Sequence, residues 1–263
     1  MSDAIRVVVS GAGGRMGREV VHAVLEPTHE MTLVGAADPA FAGRTVSEAL
    51  GIDCPVVIAS DLSSVLRSTP ADAVVVFTIP SAAMENIRVA MAAKAVPVVG
   101  TTGIGEQDLV EIRELAAQHG VGAIIAPNFA IGAVLMMKLA CQAAKYFPAV
   151  EIIELHHDKK LDAPSGTAIL TAKLLADSRE GSSVSPAEHP APSRGEDFGG
   201  IRVHSVRLPG LVAHQEIIFG GLGQTLTLRH DSLERKSFMP GVLLAIKKSR
   251  GLKKVIWGLE NII

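Results

Sequence analysis

The first half of the chain alternates short, unbroken apolar runs with stretches of helical periodicity. Ile5–Ser10 reads as a strand buried on both faces, followed by a glycine cluster and a helix over about Arg15–Leu25 that closes at Pro27. Met31–Ala37 reads as a second strand stopping at Asp38-Pro39, and Ala73–Thr78 as a third. Pro80-Ser81 opens a helix to Ala93, and strands at Val96–Gly100 and Val121–Ala126 flank a helix at Glu106–His119. Strict strand–helix alternation with continuous Val/Ile runs predicts a parallel sheet covered on both faces.

The pattern changes after Asn128. A long helix is predicted over Gly132–Tyr146, a strand over Glu151–Leu155 running into His156-His157, and a helix over about Thr167–Ser178. Glu180–Gly200, rich in Ser, Pro, Gly and charge, reads as a loop. Three strand-like runs follow with no helix between them, Ile201–Leu208, His214–Phe219 and Thr225–Arg229; Ser237–Lys248 is helical and a short tail ends the chain. Consecutive strands joined by short turns imply an antiparallel or mixed sheet, hence a second, α+β domain. The division predicted is 1–129, rejoined by 236–263, against 130–235.

Composition narrows the classes. With 48% hydrophobic and 20% charged residues in 263, the chain can bury enough apolar surface to offset its conformational entropy, which excludes a disordered protein. A formal charge of -2 removes the global positive field that nucleic acid or an acidic membrane surface would attract. The longest apolar stretch, Val121–Cys141, is broken by Pro127, Asn128 and Lys138, so no membrane span is expected. Two isolated cysteines, Cys54 and Cys141, fit neither a disulfide scaffold nor a structural zinc site. With no room for a leader before Ile5, a reducing, cytoplasmic setting is the simplest expectation.

The glycine cluster Gly11-Ala12-Gly13-Gly14-Arg15-Met16-Gly17 lies where a first strand hands over to a first helix. There glycine permits a tight turn and lets backbone N–H groups approach a pyrophosphate at the positive helix end. The spacing is G-x-x-G-x-x-G, because Met16 occupies the third glycine's place in the stricter pattern. Asp38, at the end of the second strand, is placed to accept from adenosine ribose hydroxyls, and its charge would repel a 2′-phosphate. Arg15, Arg18 and Arg44 are near enough in sequence to compensate, so NADH or NADPH both remain open with a lean to NADH. Thr78, Gly100-Thr101-Thr102 and Ala126-Pro127-Asn128-Phe129 follow other strands of this half, where ligands bind in open parallel sheets. The expected architecture is an α/β, Rossmann-like doubly wound sheet with an α+β domain carrying a mixed sheet.

The densest chemistry lies in Glu154–Ala168 (ELHHDKKLDAPSGTA). His156 and His157 offer imidazoles, the side-chain type suited to giving and taking protons, Lys160 adds a point charge, and Ser165-Gly166-Thr167 opens a helix whose free N–H groups suit an anion. Together they suit a small carboxylate substrate. A metal held by His156, His157, Asp158 and Asp162 competes, but the adjacent lysines would repel a cation, and no metal is expected. A solvated, charge-mixed loop with Ser165 as a helix cap is the plainer alternative.

These residues together resemble a known family. Gly11–Gly17, Gly100-Thr101-Thr102-Gly103, Pro127-Asn128-Phe129 and above all the H-H-x-x-K-x-D-A-P-S-G-T-A run from His156 are similar to the 4-hydroxy-tetrahydrodipicolinate reductase (dihydrodipicolinate reductase) family, over the whole chain. The resemblance implies NAD(P)H-dependent reduction of (2S,4S)-4-hydroxy-2,3,4,5-tetrahydrodipicolinate, with loss of water, in lysine and diaminopimelate biosynthesis. It implies proton chemistry at His156 and Lys160, and substrate carboxylates held by His157 and the Gly166-Thr167 pair. It implies cofactor contacts at Gly11–Met16, Asp38, Gly100–Thr102 and Ala126–Phe129. Some members carry arginine where this chain has Pro39 and Pro80, which argues against a strong NADPH preference. It further implies a homotetramer built through the second domain's sheet, with no nucleic-acid or membrane partner. Two other classes stay open: an amino-acid dehydrogenase on the same plan, such as an aspartate dehydrogenase, and a non-catalytic dinucleotide sensor. The latter's expected feature, a basic DNA-reading helix, is missing.

Overall fold

In chain order the elements of the computed structural model are β1 (Ile5–Ser10), α1 (Arg15–Leu25), β2 (Met31–Ala37), α2 (Val46–Leu50), β3 (Ile58–Ala59), α3 (Leu62–Leu66), β4 (Ala73–Val76), α4 (Pro80–Ala92), β5 (Val96–Val99), α5 (Glu106–His119) and β6 (Ala123–Ile125). They continue with α6 (Ile131–Ala143), β7 (Ala149–His156), α7 (Gly166–Asp177), β8 (Glu196–Phe198), β9 (Ile201–Arg207), β10 (Ala213–Gly221), β11 (Gln224–Ser232), α8 (Met239–Ser249) and β12 (Val255–Trp257). The structure describes residues 4–179 and 192–263. The chain forms two compact units, one of Met1–Phe129 with Phe238–Ile263 and one of Ala130–Ser237.

Valine runs buried on both sides build the sheet of the first unit: Val7–Val9 and Val74–Val76 have no exposed surface. Its seven strands run in the order β12-β6-β5-β4-β1-β2-β3, every pair parallel. The order reverses between β1 and β4, the switch point at which open α/β sheets bind ligands beyond their strand ends. Four elements of this unit depart from the sequence pattern. The helices α2 and α3 and the strand β3 fill the stretch between Asp38 and Ala73, and β12 turns the expected tail into a seventh strand beside β6. Each is two to five residues long, too short to show a period. The helices are set instead by caps: Thr45 and Glu48 form a reciprocal capping box, and Asp61 accepts from the Ser64 N–H.

The second unit is a five-stranded sheet, β11-β10-β7-β9-β8, with β7 antiparallel to β10 and parallel to β9. Met136 and Ala140 of α6 and Ala168, Ala172 and Leu175 of α7 pack on Ile152, Val203, Ile217 and Phe219, all from one sheet face. The predicted loop from Glu180 is corrected in its last part: Glu196–Phe198 is an edge strand paired antiparallel with β9. Its Glu-Asp-Phe sequence carries no strand signal, and cross-strand pairing alone makes it one. Residues 180–191 lie outside the described residues.

Candidate active site

A cavity of about 1050 Å³ opens in the first unit beyond the ends of β1, β2, β4 and β5, at the upper end of ordinary ligand clefts, roughly 300–1,000 Å³. Gly11, Gly14, Arg15, Met16, Asp38, Thr78, Gly100, Thr101 and Thr102 all line it, joined by Ser60–Ser63 after β3 and by Asn86 of α4, which the sequence reading left out. Gly11 has φ +81°, and a Cβ there would lie 2.1 Å from the Phe77 carbonyl oxygen. Gly17 is equally constrained, since its Cβ would sit 2.0 Å from the Gly11 carbonyl. The loop therefore keeps its backbone bare and tight against the head of α1, the form a pyrophosphate requires.

Asp38 organises the loop as well as facing the cavity. Its Oδ2 accepts from the Gly13 N–H (2.9 Å) and its Oδ1 from the Ala40 N–H (3.0 Å), leaving one lone pair on each oxygen for ribose hydroxyls. Of the three arginines considered for compensation, Arg18 donates to the Gly13 carbonyl and stacks over Phe41, and Arg44 donates to the Glu48 carbonyl. Arg15 alone of these lines the cavity. Ala12, Gly13 and the segment Ala126–Phe129 do not line it; Ala12, Ala126 and Phe129 are buried, with Phe129 packed on Phe77 at 5.8 Å between ring centres. Pro127 is exposed and Asn128 half-buried, so within this strand-end segment only Ala126 and Phe129 are packing residues.

In the second unit the H-H-x-x-K run turns off the end of β7. His156 is the last strand residue, and Lys160 closes a turn by donating its N–H to the His157 carbonyl (3.1 Å). The Lys160 Nζ lies 2.7 Å from both oxygens of Asp162. Ser165 is buried and caps α7, accepting from the Ala168 N–H at 3.2 Å, while Gly166 and Thr167 form the first turn with the amide groups of a helix N-terminus. The hydrogen bond from the Lys160 ammonium is the main cause that lowers the Asp162 carboxyl from its ordinary value.

Beneath His156 lies Glu154, fully buried and on the same face of β7. The Glu154 Oε2 meets His156 Nδ1 at 2.5 Å, and both its oxygens accept from Arg207 at 2.6 and 2.9 Å. Burial alone would push the Glu154 carboxyl up; hydrogen bonds from His156, Arg207 and Ser205 outweigh it and bring it down to about 2. Because the folded-state value lies below the unfolded value near 4.5, the stabilisation is complete above about pH 4.5 and is lost as pH falls through about 2. Unfolding free energy measured in guanidinium should fall by about 3 kcal/mol across that window from this group. A Glu154→Gln chain should show a shallower fall; identical acid profiles would contradict the assignment.

Neither Glu154 nor Arg207 was assigned a role from sequence. Glu154 had a readable signal, an acid on the buried side of an apolar strand, two residues before a histidine. Arg207 had none: it stands 53 residues from Glu154 and meets it only through the parallel β7–β9 register, which sets Arg207 opposite His156. Among the described residues no His, Cys, Asp and Glu converge as a metal site, and no helix is long and apolar enough to cross a membrane.

Comparison with known proteins decides the family. The profile of the dihydrodipicolinate reductase N-terminus matches residues 5–129, and that of the dihydrodipicolinate reductase C-terminus matches 132–263. The chain belongs to the dihydrodipicolinate reductase family. A 4-hydroxy-tetrahydrodipicolinate reductase of Desulfitobacterium hafniense (strain DSM 10664 / DCB-2) is 53% identical over 98% of both chains. The Moorella thermoacetica (strain ATCC 39073 / JCM 9320) enzyme of that name is 49% identical over 100% of this chain and 99% of its own. The structure of dipicolinate-bound dihydrodipicolinate reductase from Paenisporosarcina sp. TG-14 superposes with a TM-score of 0.87 at 44% identity, covering 99% of this chain and 100% of that one. Within the dihydrodipicolinate reductase fold, then, the first unit carries the glycine-loop cavity and the second the histidine–lysine cluster.

Proposed function

We propose that this chain catalyses reduction of (2S,4S)-4-hydroxy-2,3,4,5-tetrahydrodipicolinate by NAD(P)H and one proton, giving 2,3,4,5-tetrahydrodipicolinate, NAD(P)+ and water, in L-lysine biosynthesis via diaminopimelate. The observation that carries the reading is whole-chain similarity to reductases of that name combined with the intact cluster from His156 to Thr167. The bare Gly11–Gly17 backbone and the Asp38 carboxylate fit a dinucleotide, which when bound supplies the hydride.

The chain's own groups do the rest in this reading. The α7 N-terminus and His157 bind the substrate carboxylates, for which free amides and the Ser165 cap are suited. His156 and Lys160 present positive charge and protons where negative charge develops on the reduced ring. The test is a coupled assay that generates substrate from pyruvate and aspartate semialdehyde and follows NADH absorbance. Absorbance decay there is expected; decay only with oxaloacetate and ammonia would replace this reading with an aspartate dehydrogenase.

NADH is the proposed better cofactor, on the ground that Asp38 repels a 2′-phosphate and Pro39 and Pro80 stand where arginine could bind one. The ratio of kcat/KM for NADH over NADPH should exceed one, and Asp38→Asn should narrow it at least about fivefold, the effect of one like-charge contact in water. A wild-type ratio below one would overturn this preference. A homotetramer is proposed through the sheet face opposite α6 and α7. No described element of that unit covers this face, which presents Ile153, Leu155, Val206 and Ile218 among Glu151 and His204.

A further inference from the structure

The Glu154–Arg207 pair is costly as a mere stabiliser. Glu154 comes fully out of water and Arg207 largely so, and a buried ion pair is often no more stable than apolar residues of the same shape. The Arg207 Nε is buried without a hydrogen-bond partner as well, which adds a desolvation penalty. What the pair does in return is visible in its contacts.

Three parts of the candidate site are tied to one carboxylate. The Glu154 Oε2 faces His156 Nδ1, and an ionised carboxylate can only accept, so that nitrogen must carry the proton. The imidazole is thereby fixed in rotation, and Nε2 is left as the nitrogen not engaged by Glu154. The Glu154 Oε1 accepts from the backbone N–H of Ser165, the cap of α7, at 3.3 Å. Through Arg207 it also reaches the strap that carries Lys160, because the Arg207 Nη2 donates both to Glu154 (2.6 Å) and to the Asp162 carbonyl (2.7 Å).

We infer that Glu154, gripped by Arg207, is a positioning residue for the reaction: it sets the tautomer and orientation of His156 and holds the Lys160 strap and the head of α7 in register with that ring. The inference rests on the reductase reading above, and its first measurement does not depend on activity. In protein labelled with nitrogen-15 histidine, His156 Nδ1 should give a protonated, pyrrole-type resonance near neutral pH. An unprotonated Nδ1 in the wild-type protein would overturn the inference whatever the enzyme reduces.

The second measurement uses Glu154→Gln, whose neutral amide keeps the shape but can donate as well as accept. Its kcat should fall at least about tenfold, with the Nδ1 resonance shifted toward the unprotonated position and KM for NADH within twofold of wild type. Arg207→Lys, which keeps the charge but loses the two-pronged grip, should lie between the two, and covers the case in which the glutamine variant does not fold. Wild-type kcat in either folded variant would overturn the inference. So would a loss of turnover matched by an equal loss of NADH affinity, the mark of general destabilisation. Absence of substrate reduction by wild type, with the His156 resonance as expected, would instead reject the reductase reading alone.

Discussion

Lys160→Ala should lower kcat at least tenfold, and His156→Gln about as much, while affinity for the reduced cofactor stays within about twofold. Hydride delivery leaves negative charge on the substrate, and only a group whose interaction strengthens as that charge appears can lower the barrier. A positioned proton donor is worth about 10²–10⁴ in rate, or roughly 3–5 kcal/mol. The Lys160 ammonium is held by Asp162, whose side chain is 62% exposed, so the pair adds little to stability, on the order of 0–1 kcal/mol. Removing Lys160 should therefore be felt in turnover rather than in folding. His156→Gln keeps a donor for Glu154 but cannot change protonation state near neutral pH. Steady-state kinetics with substrate generated in place, alongside fluorescence titration with NADH, separates the two effects. Unaltered kcat in both variants would remove these residues from the mechanism.

Gly11→Ala should abolish measurable dinucleotide binding and lower stability by about 3 kcal/mol. Two penalties coincide there. The backbone sits at φ +81°, and the added Cβ would overlap the Phe77 carbonyl, main chain at the end of a buried strand that has no room to retreat. A control separates them: Gly43 has φ +84° with nothing within 4 Å of a built Cβ, so Gly43→Ala carries only the conformational cost, about 1 kcal/mol. Thermal unfolding and NADH titration of both variants check the pair. A Gly11→Ala chain with wild-type melting and affinity would show that the loop is not the cofactor cradle.

The parallel sheet was legible because its central strands are buried on both faces and so are written as apolar runs, Val7–Val9 and Val74–Val76 above all. Strands β3 and β12 were not, since two or three residues make no pattern and become strands only by lying beside a neighbour. The chain crosses between its units at Phe129/Ala130 and Ser237/Phe238. The site divides in the same way. The glycine loop and the histidine–lysine strap are contiguous, so their chemistry can be read along the chain; the arginine commitments cannot. Arg15, Arg18 and Arg44 were all near enough to Asp38 in sequence to compensate its charge, and only the fold shows Arg18 and Arg44 donating to the Gly13 and Glu48 carbonyls.

The sequence by itself determined where glycines leave the backbone bare of side chains, within Gly11–Gly17, and which imidazoles, ammonium and helix-opening residues stand together from His156 to Thr167, because both depend on residue types at short, local spacing. Only the tertiary structure decided which imidazole nitrogen is held and by what. That outcome depends on a carboxylate and a guanidinium from two strands that sheet register, a property of pairing between distant segments, brings within hydrogen-bonding distance.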